Sequence, residues 1–393
     1  MILSTLNLEH LPNQSTRRNM DPLITTVIPT FRRPDLLTRA IESALAQSFT
    51  SLRVCVFDNA SGDETESVVA ALIRRDKRVS YIKNPTNIGA VKNMMRATAA
   101  VTTEFYSILN DDDFLLPGFY KNAMSGFQTS PTARFACAKT ITIDLTNNKL
   151  QLRNADWAPG VYAPTREIAT KMYRSHFTQT GVLFRREMRD VVGLYENSGN
   201  DLLYMTMAAG SSPFLVLDCY GGAFIIHAQS YTSKGGISQE RLAHLYEALI
   251  ATIDTIVKMQ IPADAKVHLI ALVENYYYGI FDVKQLGDMS GPRRPANDQE
   301  QPLPSRVTFA GILRKISERY PPDNHPLIGY SINWLLARWE RTALKASRAG
   351  WVSLPSKALD ALNADGGSAD FAAFAANLER RTKNMNSITG NLV

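Results

Sequence analysis

The stretch Leu23-Ile24-Thr25-Thr26-Val27-Ile28-Pro29-Thr30-Phe31-Arg32-Arg33-Pro34 decides the fold. Its first half, Leu23 to Ile28, is a β-branched run of the kind that fills a strand buried on both faces. Pro29 is predicted to end that strand, because proline supplies no ladder donor. Pro34 suits the first turn of a helix, where a missing N–H is no loss, and Leu37, Ile41, Ala44 and Leu45 give that helix one apolar face. The same unit then recurs. Leu52 to Phe57 reads as a strand that stops at Asp58-Asn59-Ala60-Ser61-Gly62-Asp63, a turn able to cap a helix carrying Val68, Val69 and Leu72. Arg78 to Ile82 is a third strand, followed by a loop with Asn84, Pro85, Asn87 and Gly89 and a helix from Asn93 to Ala99. Phe105 to Leu109 is the fourth strand, and it runs into Asp111-Asp112-Asp113.

Strands alternating with helices at this spacing predict an α/β fold with a mostly parallel, Rossmann-like sheet and right-handed crossovers. Ligands of such sheets bind at the carboxyl ends of the strands. Asp58 and Asp111 to Asp113 each follow a strand, so they fall on one edge, and packing alone does not explain that convergence. Thr132 to Ile143, Val182 to Phe184, Phe214 to Leu217 and Phe224 to Ile226 are further strand segments, the last just before His227. After Ser238 the apolar residues take a helical period through Val257, and Val267 to Phe281 reads as a second helix. The expected organisation is an arm at 1–21, an α/β domain at 22–236 and a helical region at 237–393 with a Gly- and Pro-rich linker at 287–305. Helices are expected around Phe309 to Arg319, Ser331 to Ser347 and Asp370 to Arg381.

Whole-chain properties set the outer limits. The 45% apolar and 20% charged residues among 393 predict a substantial core. Lys and Arg exceed Asp and Glu by only 43 to 37, which falls short of a nucleic-acid footprint. Cys55, Cys137 and Cys219 lack the paired spacing of a zinc or redox site and read as reduced core thiols. The leucine-rich start is interrupted by Asn7, Glu9, His10, Asn13 and Gln14, and no apolar run of about 18 residues occurs, so the expectation is a soluble, cytoplasmic protein. Peripheral membrane contact stays open. In the C-terminal region Trp334, Leu335, Leu336, Trp339 and Ala343 alternate with Arg338, Arg341, Lys345 and Arg348, which fits a helix at an anionic membrane surface, a subunit contact or the solvated face of a packed helix.

Three successive carboxylates at a strand end repel one another unless a cation intervenes, and their hard oxygens suit Mg2+ or Mn2+; taken alone, the triplet also fits a solvated acidic turn that caps the next helix. The segment from Leu23 to Leu116 resembles the family 2 glycosyltransferases of the GT-A fold. The resemblance rests on Val27 to Pro34, on Val56-Phe57-Asp58-Asn59-Ala60-Ser61, on Asn87-Ile88-Gly89 with Lys92-Asn93, and on Leu109-Asn110-Asp111-Asp112-Asp113, in that order. It extends through Gly181 to Arg186, Gly199-Asn200-Asp201 and His227 with Ser230 and Ser233, and so covers residues 23 to 235.

The resemblance implies an inverting transfer of a sugar from a nucleotide-diphosphate donor, UDP-sugar first, to a hydroxyl acceptor in polysaccharide or glycoconjugate synthesis. Pro29, Thr30 and Arg32 would border the base and Asp58 would accept its ring N–H. Asn87 and Lys92 would lie near the nucleotide and its phosphates, and Asp111 would face the ribose. Asp112 joins these nucleotide-sugar contacts without a separate role, and Asp113 would bind the Mn2+ or Mg2+ ion. Asp201 would be the general base, although its segment also fits a helix N-cap. His227 suits a metal ligand, a phosphate contact or a structural histidine. Lys234-Gly235-Gly236 fits a closing loop or a plain linker, and Arg185 and Arg186 fit scaffold pairs with Glu187 or Asp190, or a contact with an acidic acceptor. His176, His244, His268 and His325 read as surface or packing residues, and Tyr276-Tyr277-Tyr278 as packing. Two rivals remain: a non-catalytic nucleotide-sugar or glycan-binding subunit, and a sugar-phosphate nucleotidyltransferase, which would normally open with a glycine-rich basic loop that Pro29-Thr30-Phe31-Arg32 is not.

Overall fold

The computed structural model describes residues 22–193, 200–228, 239–287 and 352–353, with side chains except at 239–247, 278–287 and 352–353. The 1–21 arm, Gly199, Ser230, Ser233, Lys234-Gly235-Gly236, nearly all of the 287–305 linker and the three helices expected beyond it lie outside these residues.

Strands and helices alternate as β1 (Ile24–Thr30), α1 (Pro34–Leu45), β2 (Leu52–Asp58), α2 (Thr65–Arg75), β3 (Val79–Lys83), α3 (Ala90–Ala99) and β4 (Phe105–Ile108). β1 lies between β2 and β4, parallel to both, and β3 continues in parallel beyond β2. The carboxyl ends of these four strands therefore share one edge. β1 does not stop at Pro29 but continues to Thr30. The Val27 carbonyl accepts from Leu109 on the β4 side, and the Thr30 carbonyl accepts from Asn59 on the β2 side. Position 29 thus turns its nitrogen toward β4 where β4 ends, and a proline there forfeits no ladder bond.

The second half comprises β5 (Phe114–Leu115), α4 (Phe119–Thr129), β6 (Phe135–Asp144), β7 (Lys149–Arg153), β8 (Gly160–Tyr162), α5 (Arg166–Arg174), a 3-10 turn at Gln179–Gly181, β9 (Val182–Arg185), α6 (Met188–Val192), α7 (Asp201–Ser211) and β10 (Phe214–Ile226). β9 runs antiparallel between β4 and β6 and so joins the two halves into one sheet. β10 is one long strand where two short runs were expected. Its middle, with Asp218 and two glycines, breaks the apolar pattern, and the pairing with β6 shifts register between Val216 and Gly222. A two-residue strand, β11 (Val352–Ser353), pairs with β7.

Two helices, α8 (Gln239–Lys258) and α9 (Ala263–Gly287), follow. Ile253, Ile256, Leu269 and Val273 belong to one apolar cluster with Leu203 and Met207 of α7 and with Phe184 and Phe214 of the sheet. The chain on the far side of residue 236 therefore packs into the core of the α/β unit. Every residue of α7 from Leu203 to Gly210 is buried. Gly210 permits the closest approach, since a Cβ there would fall 2.8 Å from Leu269 Cδ2. Tyr277 packs in the same cluster. The three cysteines are free, with Cys137 buried and the other two half-buried. Among the described residues no helix is long and apolar enough to cross a membrane.

The turn leading into β9 is equally tight. A Cβ on Gly181 would stand 2.7 Å from Thr140 Cγ2 and 2.9 Å from the Ala138 carbonyl oxygen, both on β6. Gly181→Ala is expected to destabilise the fold by about 1–3 kcal/mol through overpacking. Thermal unfolding should register this as a fall of several degrees, and an unchanged Tm would show that β6 gives way there at no cost.

Candidate functional site

Asp111 to Asp113 leave β4 at the carboxyl edge, and what happens next fixes their orientation. Phe114 and Leu115 form β5, which pairs antiparallel with Gly222 and Ala223 of β10. That pairing sets Ile225 and His227 over the aspartates, more than 110 residues along the chain. Asp113, the expected metal ligand, is wholly buried. Its Oδ1 accepts from the Ile225 N–H at 2.9 Å, and its Oδ2 accepts from the Thr180 hydroxyl at 2.5 Å and from Asn110 Nδ2 at 3.1 Å. Burial, and next the charge of Asp112, push its carboxyl upward from the usual range, while the three donors oppose them. A carboxylate so enclosed holds scaffold together and turns no oxygen toward a ligand.

The neighbour is the one that turns outward. Asp112 Oδ2 lies 3.2 Å from His227 Nε2 and 2.8 Å from Arg33 Nη1. The same Arg33 nitrogen donates to Asp111 Oδ1 at 3.0 Å, and Thr30 Oγ1 donates to Asp111 Oδ2 at 2.8 Å. Burial and the Asp112 charge raise the Asp111 carboxyl to about 6 against the pull of Arg33 and Thr30. Arg39 donates to the Asp112 carbonyl at 2.7 Å, behind the pair. A carboxylate oxygen and an imidazole nitrogen at this separation suit one small divalent cation. Among the described residues no group of three or more His, Cys, Asp and Glu side chains forms a metal cluster. A cation on Asp112 and His227 would draw its remaining ligands from a phosphate-bearing substrate and water, as Mg2+ commonly does.

The residues expected to border a base sit along the same edge. Asp58 is buried, and its Oδ1 accepts from the Ser61 N–H at 3.0 Å while its Oδ2 accepts from the Tyr81 hydroxyl at 2.6 Å. Burial and the Asp58 contact push the Tyr81 phenol upward, so it remains a donor. Arg32 has φ +54, and its backbone N–H and Nε donate to the Ser61 hydroxyl and carbonyl, each at 2.9 Å. That left-handed residue directs Arg33, rather than Arg32, at the aspartates. Asn87 Oδ1 accepts from Asn59 Nδ2 at 2.8 Å, within a network that includes Asn84 and Asn93. Lys92 is exposed in the first turn of α3, and Pro29 is half-buried at the rim.

On the opposite flank stands Asp201, first residue of α7. The N-cap is Asn200, whose side chain accepts from the Leu203 N–H at 2.9 Å. Asp201 is thereby released from capping. Its Oδ1 accepts from the Leu202 N–H at 2.9 Å, and its Oδ2 has no hydrogen bond among the described residues. His176, expected to be a bystander, places Nε2 3.8 Å from Asp201 Oδ1. Arg153 lies within Coulombic reach of both. Gln179 Nε2 donates to Asn110 Oδ1 at 2.9 Å, so the turn after His176 runs from this flank to the aspartates. Arg33, Asn110, Gln179, Thr180, Arg153 and His176 all escape a reading of the sequence for site residues. Arg185 and Arg186 lie at the other edge, where Arg185 pairs with Glu104 at 2.7 Å and Arg186 donates to the Thr102 carbonyl.

Residues 25–193 match the family model described as Glycosyl transferase family 2. Over 104 residues the chain is 36% identical to the GalNAc(5)-diNAcBac-PP-undecaprenol beta-1,3-glucosyltransferase of Campylobacter jejuni, covering 26% of this chain and 34% of that protein. It is 28% identical over 171 residues to the hyaluronan synthase of Pasteurella multocida, covering 42% of this chain and 17% of the relative. The chain thus spans about a third or less of the length of these two relatives. Among solved structures, S. aureus TarS 1-349 in complex with UDP-GlcNAc superposes with a TM-score of 0.55 at 14% identity, over 79% of this chain and 87% of that one. At that identity the likeness is one of fold, and the fold is GT-A.

The buried acids have a measurable consequence. A carboxyl raised in the folded protein contributes stability that is present below its unfolded value and is lost as pH rises through the folded one. Metal-free protein is therefore expected to lose roughly 1–3 kcal/mol between pH 5 and pH 8. Asp113→Asn should flatten that slope in urea unfolding, and a slope equal to that of the parent would assign the loss elsewhere.

Proposed function

We propose that the protein, whose residues 25–193 match the family 2 glycosyltransferase model, transfers a sugar from a nucleotide-diphosphate donor, UDP-sugar first, to a hydroxyl acceptor with inversion. The observation that carries this reading is the convergence of Asp112 and His227, 3.2 Å apart, on the strand edge that also presents Asp58 and Asp111. Such an edge is where a nucleotide binds in a parallel sheet.

The Asp58 to Ser61 turn would receive the base, with Asp58, whose oxygens already accept from Ser61 and Tyr81, fixing that turn rather than meeting the ring N–H. Pro29, Thr30 and Arg32 would form the rim, and Asp111 would face the ribose side. Asn87 would hold the loop beside the nucleotide, and Lys92 would meet the phosphates. Asp112 and His227 would hold a Mn2+ or Mg2+ ion against the diphosphate, in place of the Asp113 assignment. When bound, that ion offsets the charge gathering on the leaving diphosphate. Arg33, already facing Asp111 and Asp112, adds a second positive charge at the same end. Asp201 Oδ2 would take the proton of the acceptor hydroxyl as its oxygen attacks the anomeric carbon. The bond from that carbon to the diphosphate oxygen breaks on the opposite face, so one displacement inverts the centre. Polysaccharide or glycoconjugate assembly is the setting that fits such a transfer, with donor and acceptor the partners required.

Calorimetry of UDP with Mn2+ should show metal-dependent binding that weakens at least about tenfold in Asp112→Ala, the loss expected when a charged ligand is removed. Metal-dependent binding that survives the change would remove Asp112 from the site. Asp201→Asn is expected to lower kcat by about 10²–10⁴, the range for a general base, while donor affinity stays within about twofold because the residue touches no part of the donor. Retained turnover would exclude Asp201 as the base.

A further inference from the structure

We propose that Arg153 and His176 form an oxyanion subsite beside Asp201, so that the acceptor carries a phosphate or carboxylate close to the hydroxyl that is glycosylated. This rests on the reading of Asp201 as the acceptor-side base.

Arg153 closes β7, opposite Thr140 of β6, and its side chain is half-buried. Among the described residues no hydrogen bond or ion pair engages its guanidinium. A guanidinium taken largely out of water is costly unless an acceptor meets it, and its planar fork matches an oxyanion better than any neutral group. His176 is 17% exposed and lies 3.8 Å from Asp201, beyond a direct hydrogen bond. If Arg153 served only as the counter-charge of Asp201, contact between them would be expected, and no ion pair is formed.

The cluster is also built to hold its shape. Asn154, next to Arg153, adopts φ +64 and is buried. Its Nδ2 donates to the carbonyls of Ser175 at 3.2 Å and His176 at 2.9 Å. Trp157 Nε1 donates to the Ser175 carbonyl at 2.8 Å. The chain that carries Arg153 is thereby pinned to the chain that carries His176, with neither functional side chain spent on the link. Such an arrangement leaves His176 Nε2 3.8 Å from Asp201 Oδ1 and Arg153 within Coulombic reach of both, beside an Asp201 Oδ2 that carries no hydrogen bond among the described residues. An acceptor whose anion met Arg153 and His176 would present its hydroxyl to that oxygen in one orientation, which is the role of a positioning contact in group transfer.

The test uses the full chain saturated with UDP and Mg2+, so that anion sites of the donor half are filled. Methyl phosphate and methyl glucuronide are titrated separately while the ring resonance of His176 is followed by NMR, assigned through His176→Gln. A saturable shift with one or both probes is expected, weakened at least about tenfold in Arg153→Gln, as for loss of a charge-assisted bond, and partly recovered in Arg153→Lys. A shift with one probe only distinguishes a phosphate from a carboxylate acceptor, and a shift with both assigns a subsite for either oxyanion. No saturable shift with either probe in the parent protein, or equal midpoints in parent and Arg153→Gln, would overturn the subsite and leave Arg153 as a counter-charge. UDP binding in the same samples reports separately on the glycosyltransferase reading, and the His176 resonance decides the subsite whether or not UDP binds.

Discussion

Asp113 has no contact with solvent, so its carboxylate must be satisfied from within, and its donors come from three separate parts of the chain: Asn110, Thr180 and Ile225. Burying an acid that lacked any one of them would cost several kcal/mol. The end of β4, the turn before β9 and the end of β10 are therefore tied at one point. The positions of Asp112, His227 and Gln179 on this edge follow from that knot. Asp112 meets His227 because Asp113 has met Ile225, and Gln179 reaches Asn110 because Thr180 has met Asp113.

The charge arrangement around the knot is graded. Asp113 is closed off, Asp111 is held by Thr30 and Arg33, and Asp112 shares Arg33 while also facing His227. The acidic triplet is thus three different environments, set by the pairing of β5 with β10 and by the donors that pairing brings up. On the Asp201 flank the pattern is reversed, with one carboxylate beside a histidine and within Coulombic reach of an arginine. The two flanks are joined by the Thr178 to Gly181 turn, whose close packing on β6 leaves little freedom between them.

Much of this was legible in the sequence because strands buried on both faces are written as continuous apolar runs, and the carboxyl-edge position of Asp58 and Asp111 to Asp113 follows from counting to the ends of those runs. The roles within the triplet were not. Three identical residues give no hint which one turns inward, and the answer depends on a two-residue strand pairing with Gly222 and Ala223 far along the chain. Likewise, Arg32 and Arg33 cannot be told apart until the left-handed backbone at Arg32 is known. β7 and the segment around His176 are polar and short, without a period to read, and they carry the flank that sequence reasoning passed over. Capping by Asn200, where Asp201 had competed for that duty, is a difference of one residue that decides whether an acid is structural or available.

The burial of α7 on every side has a consequence for how this protein can be cut or recombined. Leu269 and Val273 of α9 close the far wall of the chamber in which α7 stands, and Asp201 is the tip of that helix. The helical extension is therefore a foundation of the flank that carries Asp201, and a shortened version ending before Gln239 would bare an apolar wall and loosen the very carboxylate it was meant to isolate. A compact front domain cannot be exchanged between relatives at residue 236 without parting one apolar core, because α7, α8 and α9 share it with the sheet.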